Sequence, residues 1–222
     1  MARVLGVDAV FADLGVVVVE APPREGEAWR VVYAEHVETK KGSRKRGVRV
    51  ADDDAERIAV ILRRFHAVVT EWGPVGLVAE LPPGSSKGAR AAHALGIAKG
   101  IVVAVGERYG LPSEWVTPLE VKRAAGWNPP RVVKALKGKK GKKAKAEKAR
   151  AGKVAVQRFV RGAFAWAPEF DGLVGNEHVA DAAGAVCAAM NGTLMRSLRA
   201  ARIAQERTFS PSGSPGGPGM IK

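Results

Sequence analysis

The sequence predicts an α/β domain in which helices flank a mixed five-stranded sheet whose first three strands are antiparallel. Three observations carry that prediction. Three strand-length runs rich in β-branched residues, separated by short polar breaks, open the chain. Apolar strand-length runs then alternate with long helical periodicities. The chain is also long enough, at 222 residues and 46% apolar content, to bury one sizeable core.

Residues 3–10 (RVLGVDAV) and 14–21 (LGVVVVEA) are joined by a small polar break and read as a hairpin. Residues 29–39 (WRVVYAEHVET) alternate after a Pro/Gly/Glu turn and make the third strand. Asp52, Asp53 and Asp54 suit a helix N-terminus, and Ile58, Ile61, Leu62, Phe65 and Val69 recur at helical spacing, predicting a helix over 52–72. Residues 75–81 (VGLVAEL) form a short buried strand. Residues 85–110 start at a serine cap and stop at Gly110, with Pro112 beyond. That is a long helix whose small-residue face can approach another backbone. Residues 113–118 (SEWVTP) are the fifth strand, followed by a short helix over 119–125.

Residues 126–148 hold two prolines and lysine repeats and read as irregular. A helix resumes near Arg150, with Val154, Val156, Phe159, Val160 and Phe164 as its apolar positions. The last helix covers 176–207, with a break point at Asn191-Gly192. Residues 208–222 are rich in Ser, Pro and Gly and predict a disordered tail beyond a single domain over 1–207.

The net charge of +14 suggests a polyanionic partner, nucleic acid before an anionic membrane. Its distribution is uneven. Between Arg131 and Lys153 eleven Lys and Arg face one acid, Glu147. A smaller cluster holds Lys40, Lys41, Arg44, Lys45, Arg46 and Arg49. Such runs are either solvated surface or phosphate contacts, and two of them without nearby acids favour the phosphate reading. The single Cys187 excludes an intramolecular disulfide and a cysteine-based zinc site. Asp8 and Asp13 interrupt the N-terminal apolar stretches, and no uninterrupted apolar run approaches about 18 residues. The expectation is a soluble, cytoplasmic protein with no membrane partner.

Glu80 poses the sharpest question, because a carboxylate ending an apolar strand costs free energy unless something pairs with it. Asp8 ends the first strand in the same way. His178 and Asp181 are three apart in EHVADAA and share a helix face. Each has a plainer reading: Asp13 and Asp8 as turn formers, His178 as a capping or surface residue, Asp181 as a complement to the helix dipole.

The element order is also that of the ribonuclease-H-like fold, with sheet order 3-2-1-4-5 and strands one and four adjacent at its centre. Within that fold the chain resembles the RuvC-type Holliday-junction resolvases. RVLGVDAVFADLGVVVVE resembles their opening strand, aspartate and hairpin; GLVAEL their second acidic strand; and ARAAHALGIAKGIVVAV their long small-residue helix. TPLEVKRAAGW resembles the segment carrying a DNA-binding lysine, here Lys122, and KARAGKVAVQRFV the start of the helix carrying a second, here Lys153. HVADAAGAV resembles the final motif. The likeness spans residues 3–190; no one motif is specific, but the ordered set is.

The resemblance implies a metal-dependent endonuclease of DNA recombination and repair that makes paired symmetric cuts in four-way junctions. It implies Asp8, Glu80, His178 and Asp181 as catalytic and metal-ligating residues for two Mg²⁺ ions, with Mn²⁺ able to substitute; two symmetric cuts call for a homodimer, and the Ala- and Gly-rich helix over 85–108 is the expected interface. Lys122, Lys153, Lys87, Arg90, Lys137, Lys139, Lys140, Lys142 and Lys143 would contact DNA, the last five within a basic insertion at about 129–149. The family's Pro-Gly after the first aspartate is here Ala9-Val10, and its junction-stacking aromatic after the glutamate is here Pro83. Two alternatives stay open: another ribonuclease-H-like nuclease acting on flaps, branches or RNA–DNA hybrids, and a non-catalytic nucleic-acid binder on the same scaffold.

Overall fold

The computed structural model describes residues 1–22, 24, 26–39, 49–81, 88–127 and 142–209. β1 (Arg3–Ala9), β2 (Asp13–Glu20) and β3 (Trp29–Glu38) form an antiparallel meander, with a bulge between Val18 and Val19. α1 (Val50–Trp72) leads to β4 (Gly76–Glu80), which lies parallel to β1. α2 (Ala89–Tyr109) leads to β5 (Ser113–Val116), parallel to β4. α3 (Pro118–Ala124), α4 (Lys142–Ala163), β6 (Phe164–Trp166), a 3₁₀ stretch (Pro168–Gly175), α5 (Glu177–Ala188), a short 3₁₀ turn (Ala189–Asn191) and α6 (Thr193–Phe209) complete the chain.

The sheet order is β5-β4-β1-β2-β3-β6, which contains the expected five strands in the expected order. The sixth strand corrects the sequence reading of Phe164 as a helix position. Phe164 and Trp166 alternate with Ala165, and three residues suffice to pair β6 with the open edge of β3. A second correction concerns α4, which begins at Lys142 rather than near Arg150. Its first turns are Lys, Ala and Glu, all strong helix formers. The last helix does break at Asn191-Gly192. α2 begins after Gly88, and the expected serine cap at Ser85 lies outside the described residues, as do Pro83 and residues 210–222.

Alternation along the strands divides the core into two layers. Leu5, Val7, Val16, Val18 and Leu77 point toward α1 and α2. Val4, Val17, Val19, Val31 and Val78 point toward α5, which packs with α4 and β6. α5 is buried along most of its length, its Val179, Ala182, Ala183, Ala185 and Val186 being inaccessible. By length and composition α2 is the one described helix apolar enough to cross a membrane, yet Ala98, Ile101, Val102 and Val105 bury one side of it against the sheet.

Candidate active site

The site grows from strand register. Val7 of β1 pairs with Ala79 of β4, so the next residues, Asp8 and Glu80, stand side by side at the carboxyl ends of parallel strands. Asp8 faces Gly15 on β2, and Gly15 faces His36 on β3. Glu80, Asp8, Gly15 and His36 therefore form one row across four strands, on the sheet face that carries α5.

Glycine lets α5 reach that row. A Cβ on Gly15 would lie 2.1 Å from the carbonyl oxygen of His178, and one on Gly6 would lie 2.7 Å from that of Ala182. Only bare backbone permits so close an approach. The helix start is fixed by Asn176, whose side-chain oxygen accepts from the His178 and Val179 N–H groups at 3.0 and 3.2 Å. Thus held, His178 donates from Nδ1 to Oδ2 of Asp8 at 2.8 Å, and Asp181 follows one turn on. A carboxylate only accepts, so this bond sets the tautomer and leaves Nε2 facing outward. The four residues singled out from the sequence are brought together: Asp8 and Glu80 by neighbouring strands, His178 and Asp181 by one helix.

The electrostatics follow from the crowding. Burial, then Asp8 and Asp181, push the Glu80 carboxyl up to about 8 from an ordinary 4.5, with Lys122 pulling the other way. Burial and then Asp8 raise Asp181 to about 6 from 3.8, against Lys122 and His178. The hydrogen bond to Asp8 raises His178, although burial opposes it. Asp8 itself is only 8% exposed. Three carboxyl groups thus share a half-buried space with one lysine and one imidazole. That oxygen-rich, anionic donor set fits a hard divalent cation.

The basic residues separate into groups. Lys122 rides on α3, whose start is locked by a Thr117–Glu120 capping box with Pro118 in the first turn. Its stem passes over Gly152 of α4, and its charge acts on Glu80 and Asp181. Lys153 is ion-paired with Glu177, next to His178. Arg90 makes a two-pronged contact to the buried Asp54, tying α2 to α1. Lys87, Lys137, Lys139 and Lys140, with Lys40, Lys41, Arg44, Lys45 and Arg46, lie outside the described residues, as do the side chains of Lys142 and Lys143.

Two residues at this edge escaped the sequence reading. Asp13, taken there as a turn former, does close the β1–β2 turn through backbone bonds with Val10. Its carboxylate also lies 3.1 Å from His36 Nε2 and 3.9 Å from His178 Nε2. The rings of His36 and His178 stack at 5.6 Å and 11°. The available signal was alternation: His36 follows Ala34, a core residue, by two positions on the same face.

No family model matches the chain, and no curated protein matches it significantly. Solved structures do. RuvC of Thermus thermophilus in complex with a Holliday junction substrate superposes with a TM-score of 0.56 at 21% identity, over 84% of this chain and 91% of that one. A second structure of Thermus thermophilus RuvC gives 0.54 at 22% identity, over 84% and 92%. The yeast mitochondrial Holliday junction resolvase Ydc2 gives 0.53 at 12% identity, over 94% and 85%. The ribonuclease-H-like fold expected from the sequence is thus the fold of the RuvC-type resolvases.

Proposed function

We propose that this chain, which has the fold of RuvC, is a divalent-metal-dependent DNA endonuclease that resolves four-way junctions by paired phosphodiester hydrolysis. The observation that carries the reading is the register that sets Asp8 and Glu80 side by side at the ends of parallel strands, near enough to Asp181 on α5 that both other carboxyls help burial raise Glu80 to about 8. A binder of phosphate gains nothing from three converging carboxyl groups that repel its ligand. A metal-dependent nuclease requires them.

Asp8, on the central strand beside Glu80, would with Glu80 and Asp181 hold the divalent ions. When bound, Mg²⁺ or Mn²⁺ supplies Lewis acidity toward water and counter-charge for the departing 3′ oxygen. The chain's own residues do the rest. His178, held by Asp8 in one tautomer, orients water or accepts its proton at Nε2. Lys122, reaching the carboxyl groups from α3, stabilises charge on the phosphate. Lys153, beside the site on α4, exchanges Glu177 for a neighbouring phosphate.

Two symmetric cuts require two centres, so the active form is a homodimer. α2 offers a face for it: Ala92, Gly96, Gly100 and Val103 are exposed along one side, and Cβ atoms on either glycine would meet open space. The lysines of 137–143 add phosphate contacts that do not read sequence. Arg90 is committed to Asp54, and we assign it to the fold instead.

The test is cleavage of labelled four-way, three-way, flap and linear DNA with Mg²⁺, by wild type and Glu80→Gln. Symmetric cutting of the four-way junction alone, lost in the variant, supports the reading. Preferential cutting of flaps or hybrids moves it to another nuclease of this fold, and no cutting of any substrate overturns it.

A further inference from the structure

The carboxylate centre leaves Asp13, His36 and His178 unused as a group. One ligand atom from each lies within 4.8 Å of the others. Asp13 reaches His36 Nε2 with Oδ1 at 3.1 Å and His178 Nε2 with Oδ2 at 3.9 Å. A tetrahedral ion with bonds near 2.0–2.1 Å needs ligand atoms about 3.3 Å apart, so these separations close onto one with small side-chain shifts. The rings of His36 and His178 lie nearly parallel, 5.6 Å between centroids, so one must tilt for both in-plane lone pairs to meet the ion.

The donor type points away from Mg²⁺. Two imidazoles and one carboxylate suit a borderline transition metal, whereas Asp8, Glu80 and Asp181 offer only oxygen. A further observation bears on His178 itself. Its Nδ1–H is donated to Asp8 at 2.8 Å, the outer-shell carboxylate bond by which metal-bound histidines are oriented, and the free Nε2 lies on the side of Asp13. Glu177 Oε1 lies 3.7 Å from the same nitrogen, its other oxygen being paired with Lys153.

We propose that Asp13, His36 and His178 form a second metal site, selective for Zn²⁺ over Mg²⁺, whose occupancy silences the carboxylate centre. His178 belongs to both. With Nε2 committed to Zn²⁺, it no longer orients water or accepts a proton beside Asp8. The silencing rests on the nuclease reading; the binding does not.

Calorimetric titration of Zn²⁺ into the full chain, in excess Mg²⁺, tests the binding. One Zn²⁺ per chain is expected for wild type, weakened at least tenfold in both His36→Ala and His36→Gln and retained in Glu80→Gln. Circular dichroism of the His36 variants establishes that they are folded. Co²⁺ in place of Zn²⁺ should give visible absorption bands of four-coordinate intensity that disappear in the same variants. Zn²⁺ binding unchanged by either His36 substitution, or lost in Glu80→Gln, places the ion in the carboxylate centre and overturns the site, as does no Zn²⁺ binding at all.

The second arm compares junction cleavage with and without Zn²⁺ within each variant. A tenfold or greater slowing in wild type, absent in His36→Gln, is expected. Equal slowing in both overturns the coupling. Should no DNA be cleaved under any condition, the nuclease reading and the silencing fall, and calorimetry alone decides the site.

Discussion

His178 donates from Nδ1 to Oδ2 of Asp8 at 2.8 Å, and the two residues stand 170 apart in the chain. The bond makes the orientation of the imidazole a property of the acidic centre. His178→Ala is expected to slow single-turnover junction cleavage by two or more orders of magnitude. His178→Asp should keep much of the rate at saturating Mn²⁺, because a carboxylate can still order the water and accept its proton. Wild-type rates for the alanine variant in both metals would remove His178 from the chemistry.

Glu80→Gln separates binding from cutting. Removing a carboxylate near the phosphate should abolish cleavage while leaving four-way junction affinity unchanged or tighter. Gel-shift titration in Ca²⁺ together with a cleavage time course in Mg²⁺ checks both halves.

The same residue predicts a pH dependence of the metal-free protein. Folding raises Glu80 to about 8 from 4.5 and Asp181 to about 6 from 3.8. Each carboxyl therefore takes up a proton on folding, and stability present below the ordinary value is lost as pH rises through the folded one. His178, raised by Asp8, contributes with the same sign. In EDTA the melting temperature of Glu80→Gln should gain on wild type as pH rises from about 4.5 to 8. A difference that stays flat over that window would contradict the burial of Glu80.

Gly15→Ala tests how the helix is seated. Its Cβ would meet the backbone of His178 and Val179, which cannot give way as a side chain can. Overpacking of this kind costs about 1–3 kcal/mol, and cleavage should fall further because His178 and Asp181 move together. Gly96→Ala on α2, where a Cβ meets nothing, is the control and should gain up to about 1 kcal/mol from helix propensity. Thermal denaturation of both variants checks the contrast. The same control probes the dimer, since a bulkier exposed face on α2 should weaken association in sedimentation.

The basic residues should divide by what already holds them. Replacing Lys137, Lys139, Lys140, Lys142 and Lys143 with Gln should weaken binding to every DNA shape alike and flatten the log–log salt slope by as much as about 4. Arg90→Ala should lower the melting temperature, because it strands the buried Asp54, and leave that slope nearly unchanged.

Asp8 and Glu80 were legible in the sequence because both end apolar strands, and a polar group in that position is conspicuous against its surroundings. His178 and Asp181 were legible through their spacing on one helix. His36 was not. Its place in the row depends on the pairing of Gly15 with His36 across a sheet whose register shifts at Val18/Val19, and no local pattern encodes a register. Arg90 looked available for DNA because its partner, Asp54, lies 36 residues away, and the pairing of Lys153 with Glu177 across 24 residues was equally hidden. β6 escaped for a related reason. Three residues carry too little periodicity to announce a strand, and the free edge of β3 supplies the rest.

The seating of α5 on two glycines also sets a schedule. Asp8 and Glu80 leave the ribosome early, on strands that already pair, while His178 and Asp181 follow almost a full domain later. A nascent chain therefore carries only half of the acidic centre. If the chain is the nuclease proposed above, such lateness is a safeguard: translation must pass α5 before a complete centre exists, and a chain cut short before Glu177 lacks His178 and Asp181 however well its sheet has formed.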